Sequence, residues 1–249
     1  MKHIAVDVGN SSIKVGIPGP TTGSWDKVYR WNQPKDFSLP SDDPAGWLIS
    51  SVNRPKYRVL VHWIETHRKQ DRVHHLDWTY APIKIQVAAP QFVGMDRLCA
   101  AVAGHAIVGQ KPCIVIDAGT AVTVDAVSAD GDFMGGNIFV GLRGALDQLA
   151  QTTDALPRLE SPSTPDEIDA FGKTTAQAIQ SGVVLSIVGG ISEIVRRMQQ
   201  VFGGSAQVIL TGGTAPLLQQ FVAFESTIVE HLVLNGVLMI GNRLARAYE

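Results

Sequence analysis

The stretch Asp7-Val8-Gly9-Asn10-Ser11-Ser12-Ile13-Lys14 combines a carboxylate, a glycine turn, three polar side chains and an ammonium. The chemistry such a set suits is the handling of phosphate. Gly9 lets the backbone turn tightly and approach a ligand closely. Asn10, Ser11 and Ser12 add backbone and side-chain donors for phosphate oxygens. Lys14, just inside the next strand, places an ammonium over the same pocket, and Asp7 suits Mg²⁺ held through waters, because that ion takes carboxylate and phosphate oxygens. A simple hairpin turn also favours Gly, Asn and Ser, so both readings are open for this stretch taken alone.

A second copy weighs against the simple turn. Asp117-Ala118-Gly119-Thr120-Ala121-Val122-Thr123 repeats the acid, glycine and hydroxyl after another apolar run. Cys113–Gly119 parallels Ile4–Gly9, and Ala121–Val127 parallels the alternating segment Ile13–Ile17. Solenoid repeats recur at roughly 20–50 residues, far closer than Asp7 and Asp117, so the duplication points to two similar lobes. Two such loops facing each other form a cleft for a nucleotide triphosphate. The pairs Gly135–Gly136 and Gly212–Gly213 flank further strands and admit close ligand approach. The chain has neither GxxxxGK[ST] nor a GxGxxG that opens a helix after a strand.

The elements that position these residues alternate between strand and helix. The pattern predicts strands at Trp47–Val52, Arg72–Trp78, Phe133–Val140 and Ala206–Leu210. It predicts helices from Pro55 to about Gln70 and over Met95–Val108, Leu142–Thr152 and Leu232–Ala247. A further helical segment, Thr174–Phe202, carries a break at Gly189–Gly190. Ser161–Asp169 reads as an exposed loop. The alternation is that of a layered α/β architecture.

Composition narrows the function classes. The chain has 249 residues, 45% hydrophobic and 18% charged, with mean hydropathy +0.09, which suits a folded core. A net charge of −2, pI near 6.4 and the lack of a Lys/Arg cluster argue against a nucleic-acid partner. Cys99 and Cys113 sit in apolar runs and read as buried thiols of a reducing compartment. The N-terminal apolar run is interrupted by Asp7, which argues against a signal peptide. No stretch approaches 18 uncharged apolar residues, so no membrane span is expected. His74 and His75, adjacent in a strand, point to opposite faces and cannot share a metal. Trp25, Trp31, Trp47, Trp63 and Trp78 read as core or interface residues.

Taken in order, DVGNSSIK, GMDR (Gly94–Arg97), DAGTAVT, GGNIFVG (Gly135–Gly141), TTAQAIQSG (Thr174–Gly182) and LTGG (Leu210–Gly213) resemble the type III pantothenate kinases. These belong to the acetate and sugar kinase/Hsp70/actin superfamily. The resemblance spans essentially the whole chain, and its Gly-x-Asp-Arg element is the most diagnostic part. It implies an α/β fold of two duplicated ribonuclease-H-like (actin-like ATPase) lobes, residues 1–110 and 111–249, with an active-site cleft between them. The implied reaction is ATP-dependent phosphorylation of pantothenate, the first step toward coenzyme A.

The resemblance also implies roles. Asp7 to Lys14 match the first phosphate motif, including Val8 and Ile13, and Thr120 matches an ATP contact. Gly94, Met95, Asp96 and Arg97 match the pantothenate motif, with Asp96 as proton acceptor and Arg97 offering a bidentate fork to the substrate carboxylate. Thr175 matches a substrate contact, although it could also cap its helix. Asp117 matches the acid that holds a monovalent cation, K⁺ or NH₄⁺. ATP and Mg²⁺, a homodimer and a cytoplasmic location complete the expectation. Two alternatives stay open: a kinase of the same superfamily for another small hydroxyl compound, and a non-catalytic accessory transcription factor of the same fold. The chain departs from the family pattern in three places. Val140 replaces a proline, Ser11 a threonine, and the stretch Gln86–Val93 has only Phe92 where a tyrosine commonly lines the substrate pocket.

Overall fold

Apolar residues recur at every second position near both ends of this chain's acid-glycine turns, and each run becomes the centre of a sheet. In the computed structural model, residues 2–21, 23–39 and 41–247 are described. The elements in chain order are β1 (Lys2–Val8), β2 (Ile13–Pro18), β3 (Trp25–Trp31), β4 (Ala45–Ser51), α1 (Arg54–His67), β5 (Arg72–His75) and α2 (Met95–Val108). There follow β6 (Cys113–Ala118), β7 (Ala121–Val127), β8 (Phe133–Val140), α3 (Leu142–Thr152) and α4 (Thr175–Val201). The last are β9 (Gln207–Thr211), α5 (Ala215–Gln219), β10 (Thr227–Ile228) and α6 (Leu232–Ala247). They form two units: Met1–Ile107 with Gly131–Phe133 and His231–Glu249, and Val108–Asp130 with Met134–Glu230.

The first unit holds a five-stranded sheet in the order β3-β2-β1-β4-β5. β1 runs antiparallel to β2 and parallel to β4, which places Asp7 opposite Lys14 on one side and Ser50 on the other. The two-residue period of a strand divides its side chains. Ile4, Val6, Val8, Trp47 and Ile49 join Leu60 and Ile64 of α1 in one core cluster. Full burial of each such side chain contributes about 1.5–3 kcal/mol. Ala5, Asp7, Leu48 and Ser50 alternate with them and point to the opposite face. α6 covers that face at very close range. A Cβ on Gly241 would lie 2.5 Å from Leu48 Cδ1, and one on Gly236 only 2.0 Å from the Cys99 carbonyl oxygen of α2.

The tryptophans divide by role. Trp31 and Trp47 are buried, and with Trp63 and Phe37 they form an aromatic cluster with centroid separations of 5.1–6.3 Å. Trp25 donates to Asn235 of α6, whereas Trp78 remains 38% exposed. His74 meets His3 and His75 meets Tyr57.

The second unit repeats the arrangement, with sheet order β10-β9-β6-β7-β8. β6 is antiparallel to β7 and parallel to β9, as β1 is to β2 and β4. Ile114, Ile116, Val122 and Val124 pack with Leu142 and Leu146 of α3 and with Ile187, Ile191 and Val195 of α4.

Several expectations change. α4 runs through Gly189 and Gly190 unbroken. Each glycine costs a helix about 1 kcal/mol relative to alanine, and the buried stripe along α4 offsets that. α4 is also long and apolar enough to cross a membrane by length and composition, and 44% of its apolar window is buried inside the protein. The reading that no stretch approaches such a span is therefore corrected: the residues from Thr175 to Ser192 lack charge because they supply core. The strand read over Arg72–Trp78 ends at His75, and Asp77 then caps a 3-10 turn over Trp78–Tyr80. Ser161–Asp169 contains its own 3-10 turn, Pro165–Glu167, closed by Thr164 and Glu167.

Candidate active site

In the first unit, the turn after β1 is closed by the Gly9 N–H donating to the Ser12 carbonyl at 3.1 Å. A Cβ on Gly9 would sit 3.3 Å from that same oxygen, so the turn leaves little room for a side chain there. Val8 and Ile13 are buried in the core, and they offer a ligand backbone groups only. Asp7 is 6% exposed at the end of β1. Lys14 reaches across the strand pair to place Nζ 3.8 Å from Asp7 Oδ2. A buried carboxylate beside one ammonium fits a site where Mg²⁺ arrives with phosphate oxygens. Among the described residues, no group of three or more His, Cys, Asp or Glu could hold a metal alone.

Asp96 opens α2 on the same side of the sheet. Its Oδ1 accepts from the Arg97 N–H at 2.8 Å, and the Gly94 carbonyl accepts from Arg97 and Leu98. A Cβ on Gly94 would stand 2.5 Å from Asp96 Oδ1, so Gly-x-Asp is a steric requirement of this geometry. Burial raises the Asp96 carboxyl above its usual range, against the pull of the Arg97 N–H and the charges of Arg97 and Lys14. The buried Cys99 thiol is pushed well up, first by burial and then by the charges of Asp7 and Asp96, while the Ser50 hydroxyl opposes this. Both carboxylates thus act on one point of the α2–sheet interface. The Arg97 guanidinium lies 5.5 Å from the Phe133 ring centroid. A cavity of about 650 Å³ opens beside this motif, with Gly94, Met95, Arg54, Tyr57, Trp78 and Phe92 in its wall.

In the second unit, Gly119 N–H donates to the Ala121 carbonyl, closing a turn one residue shorter than the one after β1. Two distant glycines press on it. A Cβ on Gly141 would be 2.2 Å from the Gly119 carbonyl oxygen, and Gly212, at φ +96°, would place one 2.5 Å from both Ala118 O and Asp117 Oδ1. Asp117 Oδ1 and the Ala118 carbonyl thus leave no room for a side chain at position 212, and the Asp117 carboxylate is the oxygen donor of this turn that suits a hard cation. Thr214 donates to Ala118 O through both N–H and hydroxyl. Thr120 is exposed at the turn, and its carbonyl accepts from Gly141. Thr175 is the first residue of α4 and lines an apolar cavity of about 920 Å³. The helix cap is its neighbour, Thr174, which accepts from the Gln177 N–H, so the alternative capping role read for Thr175 is corrected.

A family model described as type III pantothenate kinase matches residues 3–197. The chain belongs to the type III pantothenate kinase family. A type III pantothenate kinase from Desulfosudis oleivorans is 40% identical over 253 residues, spanning 96% of this chain and 98% of that one. Among solved structures, a Baf family transcriptional activator from Campylobacter jejuni aligns with TM-score 0.64 at 19% identity, over 98% of this chain and 99% of that one. Porphyromonas gingivalis acetate kinase aligns with TM-score 0.51 at 12% identity, over 98% and 99%. At such identities these two establish the fold: an α/β protein of the actin-like ATPase class.

The structure brings Asp7, Lys14 and Asp96 to one face of the first sheet, and Asp117 and Thr120 to one turn of the second unit. The reading from sequence missed Lys56 and Asn53. The Lys56 ammonium donates to the Asn10 carbonyl at 2.7 Å, and Asn53 Nδ2 donates to Asn10 Oδ1 at 3.2 Å. The signal that could have found them was the Asn-x-Pro-Lys opening of α1 directly after a buried strand.

Proposed function

We propose that this chain transfers the γ-phosphoryl group of ATP to the terminal hydroxyl of pantothenate, the first step of coenzyme A synthesis. The observation that carries the reading is the gathering of Asp7, Lys14 and Asp96 on one sheet face, for these are the charged residues of the phosphate motif and the acid of Gly-x-Asp-Arg. The substrate oxygen bonds to γ-phosphorus as the bond to the β–γ bridging oxygen breaks, ADP departs, and the hydroxyl proton passes to Asp96. Because such transfer passes through a loose transition state, positioning and charge neutralisation do most of the work. A carboxyl held above its usual range is also a better late proton acceptor than an ordinary one.

The loop Gly9–Ser12 and Lys14 hold the phosphates, and Thr120 contributes a further ATP contact. Asp7 would hold Mg²⁺, which neutralises charge on the phosphates when bound. Asp117 would hold K⁺ or NH₄⁺. The cavity beside Gly94 and Met95 has the size of a small-molecule site and supports those residues as substrate contacts, with Arg97 taking the substrate carboxylate and Thr175 a further contact. The sheets' shared strand order supports two related lobes near the expected 1–110 and 111–249, except that α6 packs with the first sheet and belongs to the first lobe. The protein acts as a cytoplasmic homodimer. Pantothenate-dependent release of ADP, measured with and without potassium, tests the reading. ADP release that requires a different alcohol, or no turnover with any, would overturn it.

A further inference from the structure

We infer that Lys56 is a positioning residue for the nucleotide phosphates: it fixes the Asn10–Ser11 peptide of the phosphate loop from the first turn of α1. This rests on the proposed reading of the loop after β1 as a phosphate site. The Lys56 ammonium holds the Asn10 carbonyl at 2.7 Å. Asn53 holds the other end of the same residue, with Nδ2 donating to Asn10 Oδ1. Asn53 is itself fixed, since its Oδ1 accepts from the Lys56 N–H at 3.0 Å and its own N–H donates to Ser51 Oγ. Behind these contacts α1 is anchored by the fully buried Leu60 and the almost fully buried Ile64, and the Val52 N–H donates to the Val8 carbonyl. Helix and loop are thus tied to each other at Asn10 by two side-chain hydrogen bonds.

The geometry of the peptide unit gives this contact its consequence. In a planar trans peptide the carbonyl of one residue and the N–H of the next point in opposite directions, and the described residues contain no cis bond. Drawing the Asn10 carbonyl toward Lys56 turns the Ser11 N–H away from α1. With the turn closed on itself between Gly9 and Ser12, that orientation sets how the loop presents its donors to a phosphate. Lys14 acts on the loop from β2 and Lys56 from α1, so two ammonium groups flank it.

The test is direct titration of Mg²⁺ with a non-hydrolysable ATP analogue, without acceptor, into the wild type and into Lys56→Met, Lys56→Arg and Asn53→Asp. One charged hydrogen bond in a partly exposed place corresponds to about 5- to 30-fold in affinity. Lys56→Met weakens nucleotide binding by that factor, Lys56→Arg restores most of it, and the melting temperature stays within a few degrees. Asn53→Asp keeps the cap acceptor for α1 but loses the donor to Asn10, and gives a smaller loss of the same kind. In turnover assays the Lys56→Met effect falls on KM for ATP and leaves KM for pantothenate within about twofold. Unchanged nucleotide affinity in Lys56→Met, or a Lys56→Arg variant as weak as Lys56→Met, overturns the inference and leaves the proposed reaction standing. Wild type that binds nucleotide but leaves pantothenate untouched overturns the reaction and not the role of Lys56.

Discussion

Lys14 Nζ stands 3.8 Å from Asp7 Oδ2 across the β1–β2 register, with the carboxylate side chain 9% exposed and the lysine side chain 27% exposed. Lys14→Ala leaves Asp7 buried without that ammonium and removes a cation from the phosphate loop. The expected outcome is a rise of about tenfold or more in KM for ATP, with a much smaller change for pantothenate, and a stability loss of about 1–3 kcal/mol. Steady-state kinetics with each substrate varied, and a urea melt, check both parts. An unaltered ATP dependence would remove Lys14 from the nucleotide site.

Asp96→Asn should abolish turnover while nucleotide binding persists. Its effect on stability has a definite sign. Burial raises the folded-state pKa of Asp96, so between the unfolded and folded values the native state binds more protons than the unfolded one. Stability therefore falls as pH rises through that window, and the asparagine variant escapes this loss. Thermal melts above the window should show the variant more stable than wild type, by about 2–4 °C for each kcal/mol relieved. The wild-type activity profile should have its acidic limb above the ordinary carboxylate range; a limb at or below that range removes Asp96 as proton acceptor.

Gly94→Ala puts a methyl group 2.5 Å from Asp96 Oδ1. The carboxyl must swing away while the rest of α2 keeps its packing. A displacement near 1 Å at a reacting group costs about 100-fold, so kcat should fall by one to two orders of magnitude in a folded protein. Circular dichroism alongside initial rates separates this from unfolding. Rates within twofold of wild type would show that the position of Asp96 is not critical.

The two thiols offer a test of the fold itself. Cys99 and Cys113 are fully buried, and burial pushes the Cys113 thiol to about 12. Reactivity requires an accessible thiolate, so Ellman's reagent should find no thiol in the native protein at neutral pH and both in denaturant. Rapid reaction of either in the native state would contradict the packing of α2 or β6.

Gly212→Ala combines a left-handed backbone, φ +96°, with contacts of 2.5 Å to Ala118 O and Asp117 Oδ1. The conformational cost alone is about 1–3 kcal/mol, and the Asp117 carboxylate is displaced as well. A lower melting temperature and loss of potassium stimulation should appear together. Full stimulation in a destabilised variant would separate Asp117 from the cation.

Much of this arrangement was legible in the residues. α2, α3, β8 and α6 end at the predicted residues; in the helices the apolar residues supply the buried face, whereas β8 is exposed over most of its length. β3 was missed because Asp26, Lys27 and Arg30 interrupt its alternation at a sheet edge, where little of it is buried. α5 and β10 are too short to carry a period. The break assigned to Gly189–Gly190 applied a local preference where tertiary burial decides. The Asp-x-Gly turns and Gly-x-Asp-Arg were visible as contiguous motifs. Lys56 and Asn53 were not, since their tie to Asn10 joins residues that only parallel pairing of β1 with β4 brings together. The same holds for Gly141 and Gly212, whose need for glycine is written in the distant carbonyl oxygens of Ala118 and Gly119.

The 2.0 Å approach at Gly236 carries a consequence for how the molecule is made. Cys99 and Leu48 receive part of their cover from α6, which lies far downstream of both, so a nascent chain leaves part of the Asp7 side of its first sheet uncovered until α6 has been made. That side is apolar apart from the acid and serine, and exposed apolar sheet in unfinished chains invites aggregation. The phosphate-binding half is therefore fully packed only once a helix from far along the chain has docked on it.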